Sequence, residues 1–216
     1  MALSALPGLA LKVSVLMILF QLGTKAKSQD VFFLFRQPSL LLRSVLSMSI
    51  IMPAFAVTLA LTFELHAAVK WALVALALSP VPPFLPIKQI KAGGCAPYAI
   101  SLLVIEAVAA IVFVPTAVAV CASVFGNDAY IEISTLAPKI LGTILAPLLI
   151  GMLAGRFAPN FAERIGDIVG GAGSQLQLVA MAGILLMNVR VVGSLFGSGA
   201  VVAIVAFLVL GIAVGH

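Results

Sequence analysis

Apolar residues follow one another in long unbroken runs along this chain, separated by short polar stretches, and no run alternates apolar and polar at every second position. Backbone amides and carbonyls cannot be left unpaired in lipid, so a segment crosses a bilayer as a helix or as part of a closed barrel. The missing alternation argues against barrel strands, and a helical crossing needs about 20 mainly apolar residues. Seven candidate spans follow: Gly8 to Gly23, Leu40 to Phe63, one from Ala67 interrupted after Ser79, Ala96 to Phe125, Leu136 to Gly155, Ile168 to Val189, and Gly193 to Gly215. The chain reads as an all-α polytopic membrane protein forming a single membrane domain over residues 1–216.

Composition sharpens this. Of 216 residues, 63% are hydrophobic and 9% charged, with a mean hydropathy of +1.27. A soluble domain carries roughly 25% charged residues, so this chain has nothing with which to coat a water-facing surface. A soluble enzyme and a nucleic-acid binder are thereby excluded. The formal charge of +5 resides in basic residues that mostly flank the apolar runs. Lys25, Lys27, Arg36, Arg43, Lys88, Lys91, Arg156 and Arg164 fall on one side of the predicted topology, and Lys12, Lys70, Lys139 and Arg190 on the other, with Glu64, Asp128 and Glu132. The positive side of a bilayer protein is cytoplasmic, which predicts an N-terminus outside and the end of span seven inside. Cys95 and Cys121 lie at opposite ends of one apolar run, too far apart along a helix for a disulfide.

The segment Ser79-Pro80-Val81-Pro82-Pro83-Phe84-Leu85-Pro86 holds four prolines in seven positions. Each lacks an amide donor and clashes with the preceding turn, so no α-helix runs through it. The stretch from Ala67 to Ser79 is only 13 residues, too short to cross alone. A broken helix completed by a short piece from Ile87 to Ala92 covers the distance better than an ordinary exit loop. Discontinuous helices of this kind build substrate and ion sites at the midplane of secondary transporters.

Glu106 lies ten residues into the fourth span, whereas the other six acidic residues sit in predicted loops or at span ends. A carboxylate at that depth faces a partner or a cavity. It is either a cation or proton site or a protonated acid hydrogen-bonded to a neighbouring helix. Ser174, Gln175, Gln177, Asn188 and Gln21 fit helix–helix hydrogen bonding. Small residues four apart (Gly151 with Gly155, Gly166 with Gly170 and Ser174, Gly193 with Gly197, Gly211 with Gly215) predict close backbone packing. Pro53, Pro115 and Pro147 predict kinks. His66 and His216 are the only histidines, so no clustered metal ligands occur, and neither a nucleophile elbow nor a phosphate-binding loop is present. Enzyme catalysis has no visible apparatus.

The run from Leu40 to Pro53 resembles a span of the bile acid:sodium symporter family. So does Ala75-Leu-Ala-Leu-Ser-Pro-Val-Pro-Pro-Phe-Leu-Pro86, followed by Lys91-Ala-Gly-Gly94 and Ala96 to Pro115. The Ser-Pro-Val-Pro-Pro motif is similar to that of a bacterial subgroup. The resemblance implies two inverted repeats, with 8–125 as most of the first and 136–216 as an incomplete second, and two broken helices crossing at the midplane. Span three resembles the first of these. The second would follow span seven, so the chain is similar to a member lacking its last two helices. In sodium-coupled members, the break carries a Gly-Gly-Thr-type turn followed by Ser-Asn. Pro82 to Gln89 contains neither Ser nor Asn, and Ala99 and Leu103 stand where the following helix would supply further oxygens.

The resemblance implies a symporter-like secondary transporter of an organic anion in a bacterial inner membrane, working by alternating access, with no cofactor and with sodium or a proton as the coupling ion. Its expected partners are the lipid bilayer and a small organic anion, with no nucleic acid. Candidate substrate- or ion-binding residues are Ser79, Pro80, Pro82, Pro83, Lys88, Gln89 and Glu106. Lys88 and Lys91 fit either an anion site or simple cytoplasmic charge. The alternative function is a non-transporting structural or assembly subunit, or an incomplete transporter fragment.

Overall fold

Prolines mark where helices begin in this chain. A proline at the first helical positions loses nothing by lacking an amide, since those amides have no intrahelical acceptor. Pro38, Pro86, Pro97 and Pro159 all occupy such positions. A computed structural model describes residues 2–63, 65, 67–79, 81–82, 84–126, 128–189 and 200–215. Its elements are α1 (Ala2–Lys25), α2 (Ser28–Val31), α3 (Pro38–Leu46), α4 (Met52–Thr62), α5 (Ala67–Leu78), α6 (Leu85–Lys91), α7 (Ala96–Phe125), α8 (Ile133–Ile140), α9 (Ala146–Phe157), α10 (Pro159–Met187) and α11 (Ala200–Gly215), with no strand among the described residues.

Helices α3 and α4 join into one membrane-length span through a π turn, Ser47–Ile51, and α8 and α9 do so through another, Leu141–Leu145. Each π turn ends just before an X-Pro step, Met52-Pro53 and Ala146-Pro147. A proline ring inside a helix presses on the carbonyl four residues back, and a widened turn relieves that contact. Pro115, by contrast, lies within the uninterrupted α-helix α7. Among the described residues, five helical segments are long and apolar enough to cross a membrane: Leu6–Lys25, Pro38–Thr62, Ala96–Phe125, Ile133–Phe157 and Pro159–Met187. These match the predicted spans one, two, four, five and six, although α10 starts nine residues before the predicted Ile168. Spans three and seven are shorter helices among the described residues. Glu64, His66, Pro80, Pro83, Arg190, Gly193, Gly197 and His216 lie outside the described residues.

The proline segment interrupts the helix as expected: α5 stops at Leu78 and the chain re-enters helix at Leu85. Val81, within the interruption, is 4% exposed and packs in the main apolar core with Leu103, Ala107 and Ala110 of α7. The irregular backbone is thus held against protein, the condition under which it is tolerated at membrane depth.

Glycine governs the closest packing. Helix α1 lies against α9 and α10 along Gly151 and Gly155 on one and Gly166, Gly170 and Gly173 on the other. A β-carbon on Gly151 would strike the backbone of Phe20, Gly23 and Thr24, and one on Gly170 the side chain of Gln21. Dispersion at close range replaces the hydrophobic effect as the force between helices in lipid, so these missing β-carbons set the three-helix contact. Gly211 of α11 faces Met52 of α4. Two glycines also serve turns: Gly93 (φ +88°), between α6 and α7, and Gly126 (φ +68°), which ends α7 in the left-handed conformation.

The connection from α1 to α3 is tied down by one hydroxyl. Ser101 of α7 donates to the Val31 carbonyl at 2.9 Å and accepts the Leu34 amide at 3.1 Å. Ser44 and Tyr98 add a hydroxyl pair at 2.9 Å between α3 and α7.

Candidate functional site

Gln21 and Lys25 are four apart and share one face of α1. Asp167, Gly170, Gly171 and Ser174 share a face of α10 by the same helical spacing. Because Gly170 has no side chain, Gln21 lies directly on α10 and donates its Nε2 to Asp167 Oδ1 at 3.1 Å. Lys25 Nζ reaches the same oxygen at 2.7 Å. One carboxylate oxygen therefore takes both a cation and an amide donor.

This cluster forms one wall of a cavity of about 400 Å³, whose opposite wall is Ile87, Ile90 and Lys91 of α6 with Ala96 and Ile100 of α7. A second cavity of about 340 Å³ shares Ile87, Lys91 and Ser174 with the first and adds Lys88, Gln177 and Phe84. Together they make a crevice between α1 and α10 on one side and the short helix after the break on the other. Its polar groups are cations (Lys25, Lys88, Lys91), amides and a hydroxyl (Gln21, Gln175, Gln177, Ser174), and the carboxylate of Asp167. With Asp167 engaged by Lys25, Lys88 and Lys91 provide the excess positive charge. Lys88 Nζ also stands 5.3 Å from the centre of the Phe84 ring, within cation–π range.

The residues singled out from sequence fall in separate places. Lys88 lines the crevice. Ser79 lines a different, apolar cavity with Ala110, Val114 and Val118 of α7. The Pro82 carbonyl accepts the Leu85 amide at 2.9 Å and the Gln89 carbonyl accepts the Gly94 amide at 2.9 Å, so both shape the backbone around α6. Pro80 and Pro83 are not among the described residues. Ala99 and Leu103 are buried in apolar packing.

Glu106 is 5% exposed. Ser49, in the π turn before Pro53, donates to its Oε2 at 3.3 Å, and Oε1 meets no hydrogen-bond donor among the described residues. Ser44, Thr58 and Thr62 of the same span instead return their hydroxyls to carbonyls four residues back. The widened turn coincides with the one hydroxyl of that span that reaches across to the acid. Sequence reasoning found Glu106 but not Ser49; the signal lay in Pro53, four residues on.

It also missed Asp167. The start of α10 contains Asn160, Glu163, Arg164 and Asp167, polar enough to look like a loop, yet all four lie within the helix. Glu163 and Asp167 therefore join Glu106 as carboxylates inside span-length helices, which corrects their placement in a loop and at a span end. Gln21, Ser174, Gln175 and Gln177, read as packing residues, line the crevice.

The architecture is that of a multi-pass helical membrane protein with a polar crevice beside a broken helix. The model of the Sodium Bile acid symporter family matches residues 12–198, and the chain belongs to that family. It is accordingly a membrane transporter of a family whose members are transporters and not enzymes. A comparison with curated proteins gives no match.

Proposed function

We propose that the protein is a secondary transporter of a small organic anion, which it binds in the crevice between α1, α10 and α6. The observation that carries this reading is the excess positive charge of Lys88 and Lys91 in cavities otherwise lined by amides, a hydroxyl and apolar walls. A carboxylate placed there pairs with Lys91, and its hydroxyl or carbonyl groups meet Gln21, Ser174 and Gln175. Few, well-placed polar groups in an apolar cleft are the usual makeup of a small-molecule site. Alternating access would rock α1, α9 and α10 as one panel, since their glycine contacts make them a single packed unit. The membrane is a bacterial inner membrane, with the basic end of the bundle in the cytoplasm.

Coupling is assigned to Glu106. An ionised carboxylate with one hydrogen bond in a desolvated site needs neutralising by a proton or a cation, and binding or release of either provides the linkage. Ala99 and Leu103 offer no oxygen side chain near the break, which favours Glu106 over the sodium position of the family.

The test is uptake into proteoliposomes of a panel of radiolabelled carboxylates under imposed sodium or pH gradients. Gradient-driven accumulation of at least one anion is expected, with K91Q lowering uptake about tenfold or more through loss of a charge-assisted bond. E106Q is expected to remove the dependence on the driving gradient. Equal uptake by K91Q and wild type would refute the assigned crevice, and an unaltered gradient dependence in E106Q would refute the coupling role.

A further inference from the structure

Another cavity lies at the basic end of the bundle, where the end of α1 meets the elbow between α9 and α10. It encloses about 670 Å³. One wall is apolar, formed by Leu149, Met152 and Leu153, and its rim carries Lys25, Lys27, Arg156 and Glu163. Leu149 and Leu153 are each 54% exposed on a membrane-length helix, so this wall opens toward the hydrocarbon region.

Of the three cations at the rim, Lys25 is engaged by Asp167 and the other two are not used internally. Among the described residues the one ion pair is Lys25 with Asp167; Lys27 meets the Asp30 carboxylate only through its backbone amide, so the side-chain charges of Lys27 and Arg156 have no carboxylate partner. Two unpaired cations above an apolar slot between helix ends are complementary to a phosphate ester carrying acyl chains. A basic cleft between spans on the cytoplasmic side is a known setting for anionic headgroups. Glu163 adds an acceptor at the same rim, suited to the hydroxyls of a glycerol headgroup.

We propose that this cleft is a binding site for an anionic glycerophospholipid of the phosphatidylglycerol type. Lys27 and Arg156 hold the phosphate, the guanidinium by paired N–H bonds. Glu163 accepts from the headgroup hydroxyls, and the acyl chains run down Leu149 and Leu153. Because α1, α9 and α10 all border the cleft, a lipid there clamps these three helices together beside Lys25, which also lines the substrate crevice.

The experiment uses the purified full chain in nanodiscs containing phosphatidylcholine mixed with phosphatidylglycerol, followed by native mass spectrometry of retained lipid. Each basic group near a membrane surface is worth about a fivefold preference for anionic lipid. Wild type should therefore retain phosphatidylglycerol roughly 25-fold over phosphatidylcholine, and K27Q/R156Q should show almost no preference. K27R/R156K, which keeps both charges, should retain most of it. If the double glutamine variant does not fold, K27Q and R156Q alone should each lower the preference about fivefold. Phosphatidylethanolamine retained as well as phosphatidylglycerol would overturn the assignment. So would displacement by glycerol phosphate at equal concentration, which would make this a free-anion site without acyl contacts. Lack of any preference in wild type would overturn it as well.

Discussion

A methyl group added at Gly151 should separate two helices of the panel. Its β-carbon would meet the carbonyl oxygen of Phe20 and stand 2.9 Å from both Gly23 Cα and Thr24 N. Ordinary contact for such an atom begins at 3.4 Å, so α1 and α9 must part by about half an ångström, and further at the carbonyl. All three obstacles are backbone atoms of a rigid helix and cannot swing aside as a side chain would. Overpacking of this kind costs about 1–3 kcal/mol, and the upper half of that range suits backbone-to-backbone crowding. Alanine regains about 1 kcal/mol over glycine through helix propensity. The net expectation for G151A is a loss of about 1–2 kcal/mol. Gly171 supplies the control, because a β-carbon there meets nothing within 4 Å. G171A keeps the propensity gain without the clash and should be neutral or stabilising by up to about 1 kcal/mol. The assay is detergent unfolding of the purified full chain, followed by circular dichroism, with the three proteins side by side. If G151A were as stable as wild type, or G171A the weaker of the two variants, the packing account of α1 and α9 would be wrong.

Other perturbations separate stabilising contacts from functional ones. S101A removes the hydroxyl that serves both Leu34 N–H and Val31 C=O; leaving buried backbone groups unpaired should cost about 1–3 kcal/mol in the same unfolding assay and expose the α1–α3 connection to protease. D167N should change stability by less than about 1 kcal/mol, because Lys25 and Asp167 are both about half exposed, while the KM for anion uptake, measured in proteoliposomes, should fall as Lys25 is released into the crevice. Glu132, outside the spans, accepts hydrogen bonds from Tyr130 and Ser134, which hold its carboxyl below the usual 4.5. A carboxyl whose folded pKa is depressed stabilises the fold above its unfolded value and loses that contribution as pH falls through the folded one. Wild type should therefore lose slightly more stability than E132Q on acidification from neutral to below pH 4.5, and a parallel pair of pH–stability curves would contradict this.

How much was visible beforehand differs between the helices and the crevice. The run from Ala96 to Phe125 has the same limits as α7, because Pro97 and Gly126 punctuate a predominantly apolar stretch. The break after Leu78 was visible too, since four prolines admit no helix. The first turns of α10 were not. Asn160, Glu163 and Arg164 are poor markers of a membrane span, and yet the helix begins at Pro159. Hydropathy records where a helix enters hydrocarbon, whereas backbone hydrogen bonding carries α10 beyond that depth. That difference placed Asp167 at a span end and hid the crevice it helps to form.

The sequence by itself determined the class of protein, the approximate limits of five long helices, and the interruption of the third span. These depend on hydropathy, length and proline chemistry, which act between near neighbours along the chain. Tertiary structure alone decided that Gln21 and Lys25 share Asp167, that Ser49 reaches Glu106, and that Lys91 faces Ser174. Each of these pairings joins residues far apart in sequence. They depend on which helix faces meet, and that is set by where a missing β-carbon lets two backbones approach and where a proline widens a turn.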